Sequence, residues 1–396
     1  MFNRINIIIP VLGSSSWTGG FTYQANLIEA LRTRPDVSIY LVKNLDLQIE
    51  NDEKNKLTGR FFQFLYQLRK SVLNKYSLVV RGYNKELTKK LNRYTVAQMN
   101  VLFTHNNAHL LSRNNLIKLY WIPDFQHVHM SYFFSEEEIV ERNSRFLHGC
   151  EHADIIIVSS KNAQNDLANF APQYLQKSRI SNFVSNVPKG IWDINPGQLL
   201  SKYSIPEKFF YLPNQFWKHK NHMLVFEALH ILKQEKIYPI IVCTGNPTDY
   251  RNPEYSNEMK KKIEEWDLRD QLFILGLVDH NDVLLLIRQC IALINPSLFE
   301  GWSTTVEECK SIGKRAILSN IEVHMEQNPP LSDFFNPHDA KSLAELLKKH
   351  WKELAPGPDL ELEEKAKSGL QQRMNNYANN FVNIIKENYS NRKIDE

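Results

Sequence analysis

The sequence predicts an α/β protein with two doubly wound parallel-sheet domains. The chain has 396 residues, 42% of them hydrophobic, which is long and apolar enough for two domains of ordinary size. Apolar strands alternate with helical segments in both halves, as is typical of parallel sheets with crossover helices. A stretch rich in proline and glycine, 187–206, divides the chain. We therefore predict one domain over 1–190 and a second over 206–360, followed by a helical segment, 361–396.

The composition indicates where in the cell the protein is expected and which classes of molecule it is expected to bind. A net charge of +4 is too small to indicate a nucleic-acid-binding protein. The four cysteines lack metal-binding spacing, so we expect free thiols in a reducing cytoplasm. The first apolar run is too short for a signal peptide, and no window approaches the roughly 20 apolar residues that span a bilayer. These features predict a cytoplasmic protein, either soluble or peripheral at the inner face of a membrane.

The first domain is predicted to open with a strand over 5–12, a loop over 13–20 and a helix over 23–34. Strand, glycine-bearing loop and helix form the usual phosphate-facing start of a doubly wound domain. Gly19 and Gly20 lack the full G-x-G-x-x-G pattern, so they are a weak dinucleotide signature. Two glycines can equally shape a tight turn.

Residues 54–93 contain eleven Lys or Arg and a single acid, Glu86, interleaved with aromatic and aliphatic residues. One interpretation is a solvated helical hairpin with an ordinary core face. The other is a basic amphipathic surface that rests on anionic lipid. Nucleic-acid binding is less favoured, because no DNA- or RNA-binding motif accompanies the charges.

The lipid interpretation predicts that reversing the charge of Lys70, Lys75, Lys89 and Lys90 weakens binding to anionic vesicles, because basic residues near such a surface each contribute to the attraction. Co-sedimentation with anionic vesicles measures this, and neutral vesicles provide the control. Unchanged binding by the charge-reversed variant would contradict the lipid interpretation.

Histidines and an aspartate follow a predicted strand over 118–122. Asp124, His127 and His129 lie just beyond it, and His105 follows another strand. Such residues can bind metals, but His127-x-His129 is the nearest approach to a ligand spacing, and we expect no metal site. For each histidine, a place in the core or in a loop is an alternative.

Lys218 and Lys220 lie between a strand, 209–212, and a helix, 222–234, that open the second domain. A phosphate would be bound favourably at such a junction. The alternative is a surface cluster of basic residues.

Residues 291–320 are predicted to form a strand, a short loop, a helix from about residue 304 to 312 and a second strand. Glu300 follows the first strand, and Glu308 lies eight positions later, inside the helix. Ligands of open α/β sheets bind at this end of the strands, and the helix start offers free N–H groups to a phosphate. Alternatively, Glu300 is a loop charge and Glu308 a solvated helix residue like Glu307.

The stretch PSLFEGWSTTVEECKSIGKRAILSN resembles the donor-sugar motif of the retaining GT-B glycosyltransferases of family 4, also called group 1. Their pattern is Pro-Ser, a variable residue, an aromatic residue, Glu-Gly, and a second Glu eight residues after the first. The resemblance implies that Glu300 hydrogen-bonds hydroxyls of the donor sugar and that Glu308 binds the nucleotide ribose. Residues implied to face the sugar and its diphosphate are Gly301, Trp302, Ser303 and Thr304. Family members usually have Gly and Pro where this chain has Ser303 and Thr305.

Other segments extend the resemblance. Lys220-Asn221 matches the family's Lys-Asn step, so Lys220 is implied to neutralise the diphosphate. The family's arginine, five residues before the lysine, is Gln215 here, and Lys218 is the candidate replacement. The resemblance also implies that the Gly19-Gly20 loop closes over the diphosphate.

WIPDFQHVHMSYFF resembles the segment that enters the cleft near the sugar and the acceptor. Many members have a histidine just before the aspartate, where this chain has Pro123. The imidazole is therefore implied to come from His127 or His129, and Asp124 is implied to orient it or to bind the acceptor.

The resemblance implies a GT-B fold, with a cleft between two Rossmann-like domains and a carboxyl-terminal segment that crosses back onto the first. It implies sugar transfer, with retention, from a nucleotide-diphospho-sugar to an acceptor hydroxyl, without a metal or another cofactor. Lys218, Lys220 and the helix start at Thr304 would neutralise the leaving group. Together with the basic segment, it points to a lipid-linked saccharide acceptor in bacterial surface polysaccharide or O-antigen assembly.

Two alternatives stay open. One is another GT-B enzyme, such as a nucleotide-sugar epimerase or a phosphorylase, although no cofactor lysine is identifiable for the latter. The other is a non-catalytic nucleotide-sugar-binding partner in a polysaccharide assembly complex. Intact Glu300, Glu308 and Lys220 count against a scaffold, which needs none of them. A Rossmann dehydrogenase is less favoured, because the glycine fingerprint is missing.

Overall fold

The computed structural model describes residues 4–10, 18–43, 79–81, 98–105, 116–249 and 251–395, and it contains two parallel sheets flanked by helices. The first sheet has seven strands in the order β3-β2-β1-β4-β5-β6-β7. All of its pairings are parallel. Its strands are β1 Arg4–Pro10, β2 Val37–Lys43, β3 Val79–Arg81, β4 Gln98–Thr104, β5 Ile117–Ile122, β6 Ile155–Val158 and β7 Ser178–Ile180.

The second sheet has six strands in the order β10-β9-β8-β11-β12-β13, again all parallel. In both sheets the strand order reverses beside the first strand of the domain, and such a reversal opens a crevice at the carboxyl ends of the strands. The predicted pair of doubly wound sheets is therefore confirmed. The strands are β8 Phe210–Leu212, β9 Ile241–Cys243, β10 Leu272–Ile274, β11 Leu293–Asn295, β12 Ala316–Ser319 and β13 Ser332–Phe335.

Helices cover the faces of both sheets. Those of the first domain are α1 Thr18–Leu31, α2 Gln126–His129, α3 Glu136–His152 and α4 Lys161–Phe170. The linker region holds α5 Gln198–Tyr203. Those that follow are α6 His222–Gln234, α7 Pro253–Glu265, α8 His280–Gln289, α9 Thr304–Ile312, α10 Glu322–Gln327, α11 Ala340–Glu353 and α12 Leu360–Asp395. No helix in the described ranges has the length and apolar character needed to cross a bilayer.

The strands form because their residues are apolar on both faces, as parallel strands covered on both sides require. In β1, every residue from Ile5 to Pro10 is buried. β6 is an unbroken apolar run, Ile155–Val158, and it is buried throughout. These runs were recognisable in the sequence for the same reason.

The helix α1 begins earlier than predicted. It runs over Thr18–Leu31 rather than 23–34, so Gly19 and Gly20 lie in its first turn and not in the preceding loop. Glycine lowers helix propensity, but propensity is a weak preference that tertiary packing overrides. Gly20 is buried, and α1 packs against α12 and α9.

The last helix, α12, connects the two domains. Near its start, the carboxylate of Glu363 accepts two hydrogen bonds from Arg288 of α8, at 2.7 and 3.0 Å, and both side chains are buried. Further along, Tyr377 and Phe381 are buried in a cluster that contains first-domain residues, and the ring of Phe381 lies 5.4 Å from that of Phe103 in β4. The helix therefore holds the second domain at one end and completes the core of the first at the other.

Candidate active site

The centre of the site is a buried cluster at the carboxyl end of β11. Lys220 Nζ lies 2.6 Å from Glu300 Oε1, and the hydroxyl of Ser297 donates to the same oxygen at 2.7 Å. The side chains of Lys220 and Glu300 are 15% and 10% exposed. Burial alone raises the pKa of Glu300, but the positive charge of Lys220 and these hydrogen bonds outweigh it and lower the pKa. Glu300 is therefore an ionised hydrogen-bond acceptor at neutral pH.

The turn that carries Lys220 is tied to the loop that carries Glu300. Asn221 adopts a left-handed backbone conformation with φ of 58°, which Asn tolerates better than most residues. Its side-chain amide donates to the carbonyls of Pro296 and Pro337 at 3.1 and 2.9 Å. The N–H of Leu298 donates to the carbonyl of His219 at 2.8 Å. These bonds hold the ammonium and the carboxylate in register.

Below this cluster, buried amides and hydroxyls support the loop. Asn295 Nδ2 donates to the hydroxyl of Ser303 at 2.9 Å, and Asn295 Oδ1 accepts from the backbone N–H of Ser297 at 3.3 Å. Asn214, at the end of β8, donates to Asn295 Oδ1 at 3.0 Å. A fully bonded polar network of this kind fixes the geometry of the groups above it.

The start of α9 leaves donors available. Ser303 occupies the N-cap position, but its side chain makes no capping bond. Within the described ranges, no group accepts a hydrogen bond from the N–H groups of Thr304, Thr305 or Val306. First-turn N–H groups have no intrahelical partner, so they are available to an anion.

Glu308 faces the carboxyl edge of the second sheet. Its Oε1 lies 2.7 Å from Nε2 of His280, the first residue of α8. Its neighbour Glu307 points elsewhere and pairs with Arg373 of α12 at 2.6 Å. Both glutamates are buried, so the expectation of a solvated Glu307 was wrong. Burial raises the pKa of Glu307, and the charge of Arg373 opposes this.

Gly301 and Trp302 touch the first domain. A Cβ on Gly301 would lie 2.1 Å from the carbonyl oxygen of Pro123 and 2.7 Å from Cβ of Asp124. The indole N–H of Trp302 donates to the carbonyl of Phe183 at 3.2 Å. The structure therefore brings the Glu300 loop against the segment that contains Asp124. Asp124 Oδ1 itself accepts from the N–H of Gln126 at 3.0 Å, which starts α2.

The structure places His127 in the core of the first domain. Its side chain is buried, with the ring centre 5.2 Å from that of Phe146, and its Nε2 lies 2.9 Å from Asn143 Oδ1. Burial lowers its pKa. This placement does not fit the catalytic role predicted for His127.

His129, two residues later, is the histidine that reaches the second domain. Its ring lies 5.2 Å from that of Phe299, next to Glu300. Its Nε2 lies 2.7 Å from Asp166 Oδ1, and its side chain is 44% exposed. Burial raises the pKa of Asp166, and the opposing effect of the hydrogen bond with His129 is smaller, so the pKa stays raised.

Two further cations, Lys218 and Arg251, lie near the turn that carries Lys220. The side chain of Lys218 is exposed, and its backbone N–H donates to Asp249 at 2.9 Å.

Arg251 was missed, because it lies outside every motif. Its guanidinium lies 4.9 Å from the ring centre of Trp217 and 5.1 Å from that of Phe134 in the first domain. It also donates to Gln126 at 3.3 Å. Arg251 therefore lies between the two domains, in contact with both.

A group of three metal-binding side chains occurs within the described ranges, but away from this site. His148, Glu151 and His152 place their ligand atoms within 4.8 Å of one another. They lie at the carboxyl end of α3, which precedes β6, and therefore at the opposite edge of the sheet from the cleft.

The chain is similar to known glycosyltransferases. Residues 201–368 match the family model described as glycosyl transferases group 1. The serotype-specific mannosyltransferase WbdA of Escherichia coli is 26% identical over 208 residues, which are 50% of this chain and 24% of WbdA. The match thus spans about a quarter of that relative. The O-antigen chain mannosyltransferase RfbU of Salmonella typhimurium is 23% identical over 362 residues, 85% of this chain and 88% of RfbU.

Solved structures share the fold. A glycosyltransferase from Rickettsia africae superposes with a TM-score of 0.63 at 16% identity, covering 98% of this chain and 100% of that one. HepE from Anabaena, in complex with UDP and glucose, gives 0.62 at 12% identity and covers 99% of both chains. Together with the two doubly wound sheets, these similarities show that the chain has the GT-B fold and that its second domain is similar to the glycosyl transferases of group 1.

Proposed function

We propose that the protein is a retaining, metal-independent glycosyltransferase that moves a sugar from a nucleotide-diphospho-sugar to an acceptor hydroxyl. The observation that carries the proposal is the buried Lys220–Glu300–Ser297 cluster beside the uncapped start of α9. It combines an ionised carboxylate, an ammonium and free backbone N–H groups at the carboxyl edge of a parallel sheet, where such sheets bind their ligands.

The cations and the helix start fit the departing diphosphate. An ammonium has three N–H donors, and within the described ranges Lys220 uses its side chain only for Glu300. Its other donors and the N–H groups of Thr304–Val306 are placed to stabilise the charge that develops as the sugar–phosphate bond breaks. Lys218, which is exposed, adds to the positive field. In the first turn of α1, Gly19 and Gly20 would approach the diphosphate from the other domain.

The carboxylates fit the sugar and the nucleoside. Ionised Glu300 accepts hydrogen bonds from sugar hydroxyls and stabilises positive charge at the anomeric carbon. Glu308 would bind the hydroxyls of the ribose. Trp302 would line the donor site through its backbone, because its side chain is engaged with Phe183. Ser303 would support the site, because its side chain is bonded to Asn295 and its backbone to Gln327.

The acceptor would enter beside Asp124 and His129. His129 replaces His127 in this proposal, because only His129 reaches the Glu300 loop. Asp166 orients its ring. The leaving phosphate would take the proton of the acceptor hydroxyl, which gives retention without a covalent sugar–enzyme bond. Contact of the two domains around the donor would exclude water.

The names of the relatives support a proposal for the donor sugar and the acceptor of this protein. WbdA and RfbU are named as mannosyltransferases, and RfbU acts on the O-antigen chain. We therefore propose a mannosyl donor and a saccharide acceptor, lipid-linked, in surface polysaccharide assembly. The predicted lipid-binding segment, 54–93, lies outside the described residues except for 79–81, so it stays a prediction.

A thermal-shift and hydrolysis panel in EDTA tests the proposal. It compares GDP-mannose, UDP-glucose and ADP-glucose. One of these, with GDP-mannose expected first, should raise the melting temperature by about 3 °C and release its nucleotide slowly. Lys220→Met should lose this stabilisation, whereas Lys349→Met, which removes an exposed lysine of α11, should keep it. A donor that binds only after metal is restored, or a panel without any response, would contradict the proposed chemistry.

A further inference from the structure

The pair formed by Glu308 and His280 has an unequal arrangement. The side chain of Glu308 is 7% exposed, whereas that of His280 is 51% exposed. Oε1 of Glu308 lies 2.7 Å from Nε2 of His280. Within the described ranges, Oε2 has no hydrogen-bond partner. One carboxylate oxygen is thus fixed, and the other is left to a ligand.

The fold explains why these two residues meet. His280 is the first residue of α8, which follows β10, and Glu308 lies in the second turn of α9, which follows β11. Both helices start at the carboxyl edge of the same sheet, and they pack against each other. The imidazole therefore reaches the carboxylate from the solvent side of the pocket.

Among the described residues, the charge of Glu308 has one cationic partner. In the part of the chain that the structure describes, its only ion pair is with His280. The hydroxyl of Tyr211 also interacts with its charge, but it is already bonded to Thr244 at 2.7 Å. Partial removal from water lowers the pKa of the half-exposed His280 ring, but the hydrogen bond and the negative charge of Glu308 outweigh it and raise the pKa. Nε2 can donate in the charged form and in one neutral tautomer, so the contact does not require protonation.

We propose that His280 is a positioning residue that fixes the rotamer of Glu308, so that Oε2 accepts a ribose hydroxyl and the site selects ribonucleotide over deoxyribonucleotide donors. This inference rests on the proposed function, because it assumes that a nucleotide occupies the pocket. His280 itself would not touch the donor. Its effect is to prevent a buried carboxylate from turning towards water at the edge of the pocket.

Selectivity against a missing hydroxyl is large when the site leaves a buried acceptor unpaired. If the 2′- and 3′-hydroxyls are absent, Oε2 faces the ligand without a donor. If His280 is absent, Glu308 can rotate, and the loss of the hydroxyls matters less. The two changes should therefore not be additive, and this distinguishes positioning from a general loss of stability.

The experiment measures dissociation constants of GDP, UDP and ADP, and of their 2′,3′-dideoxy counterparts, for the full-length protein. Wild type is compared with His280→Ala, His280→Gln and Glu308→Ala. For the nucleotide that binds, wild type should lose about tenfold in affinity on removal of the hydroxyls. His280→Ala should lose less than threefold, and His280→Gln, which keeps a donor, should recover part of the selectivity. His148→Ala, at the opposite edge of the sheet, should behave as wild type.

Steady-state kinetics provides a second measurement. His280→Ala should raise the KM for the donor about tenfold and leave kcat within about twofold, because the ribose contact is made equally in the ground state and the transition state. The same substitution in a Glu308→Ala background should have no further effect on KM.

The outcomes separate the two proposals. If wild type binds and selects a ribonucleotide but His280→Ala keeps the full selectivity, the positioning role is wrong and the proposed function stands. If Glu308→Ala also keeps it, Glu308 does not bind the ribose. If no nucleoside diphosphate binds wild type, the proposed function fails and this inference fails with it.

Discussion

Replacing Glu300 with glutamine is expected to reduce the rate of sugar transfer by about 10³-fold, while both domains stay folded. The amide keeps the shape of the side chain but loses the charge that stabilises a cationic anomeric carbon. It also removes the ionic partner of Lys220, which lies 2.6 Å away. Initial rates with the donor identified in the panel, together with thermal unfolding, measure the two effects.

Glutamine is preferred to alanine for a structural reason. Alanine would leave the Lys220 ammonium without an acceptor, and removing one member of a largely buried ion pair in this way costs about 3–5 kcal/mol, whereas the side-chain carbonyl oxygen of glutamine can still accept from Lys220 and Ser297. Glu300→Ala would therefore confound a loss of chemistry with a loss of stability. Glu227→Gln makes the same chemical change at an exposed position of α6 and should leave the rate unchanged. Wild-type turnover by Glu300→Gln would remove Glu300 from the reaction.

Substituting Gly301 with alanine is expected to lower kcat/KM by at least about 10²-fold, because misplacing the reacting groups by about 1 Å is sufficient for that loss. The added Cβ would meet backbone, the Pro123 carbonyl oxygen at 2.1 Å, which cannot move aside as a flexible side chain can. The first domain and the Glu300 loop would have to separate. Kinetics and small-angle X-ray scattering of the unliganded protein would measure the loss and the separation.

Gly369 offers a matched control in α12. Nothing lies within 4 Å of a Cβ built there, so Gly369→Ala should keep full activity and stabilise the helix by about 1 kcal/mol. Wild-type kcat/KM for Gly301→Ala would show that the working cleft is wider than the one described here.

The features that could be predicted from the sequence are those formed by one continuous segment. The buried strands were recognisable from unbroken apolar runs, and the Glu300 loop from one continuous motif. The start of α1 was misplaced, because two glycines were interpreted as a loop while packing against α9 and α12 keeps them helical. That packing is invisible in a single segment.

Pairings between remote segments could not be predicted. Glu307 and Glu308 are neighbours, yet one faces α12 and the other α8, and only the positions of those helices distinguish them. His127 and His129 likewise have different surroundings, because they lie on different sides of the short helix α2. His127 packs against Phe146 in the core of the first domain, and His129 contacts Phe299. No sequence pattern indicated a role for Arg251, because Phe134, Trp217 and Gln126, which its guanidinium contacts, lie far from it along the chain.

The reach of α12 has a consequence for biosynthesis. Phe381 packs beside Phe103, so the core of the first domain stays incomplete during synthesis until α12, which follows the whole second domain along the chain, has been translated. Domains generally fold in order of emergence, and a nascent chain with exposed apolar surface is prone to aggregation. Here the first domain keeps an incomplete core until α12 has left the ribosome.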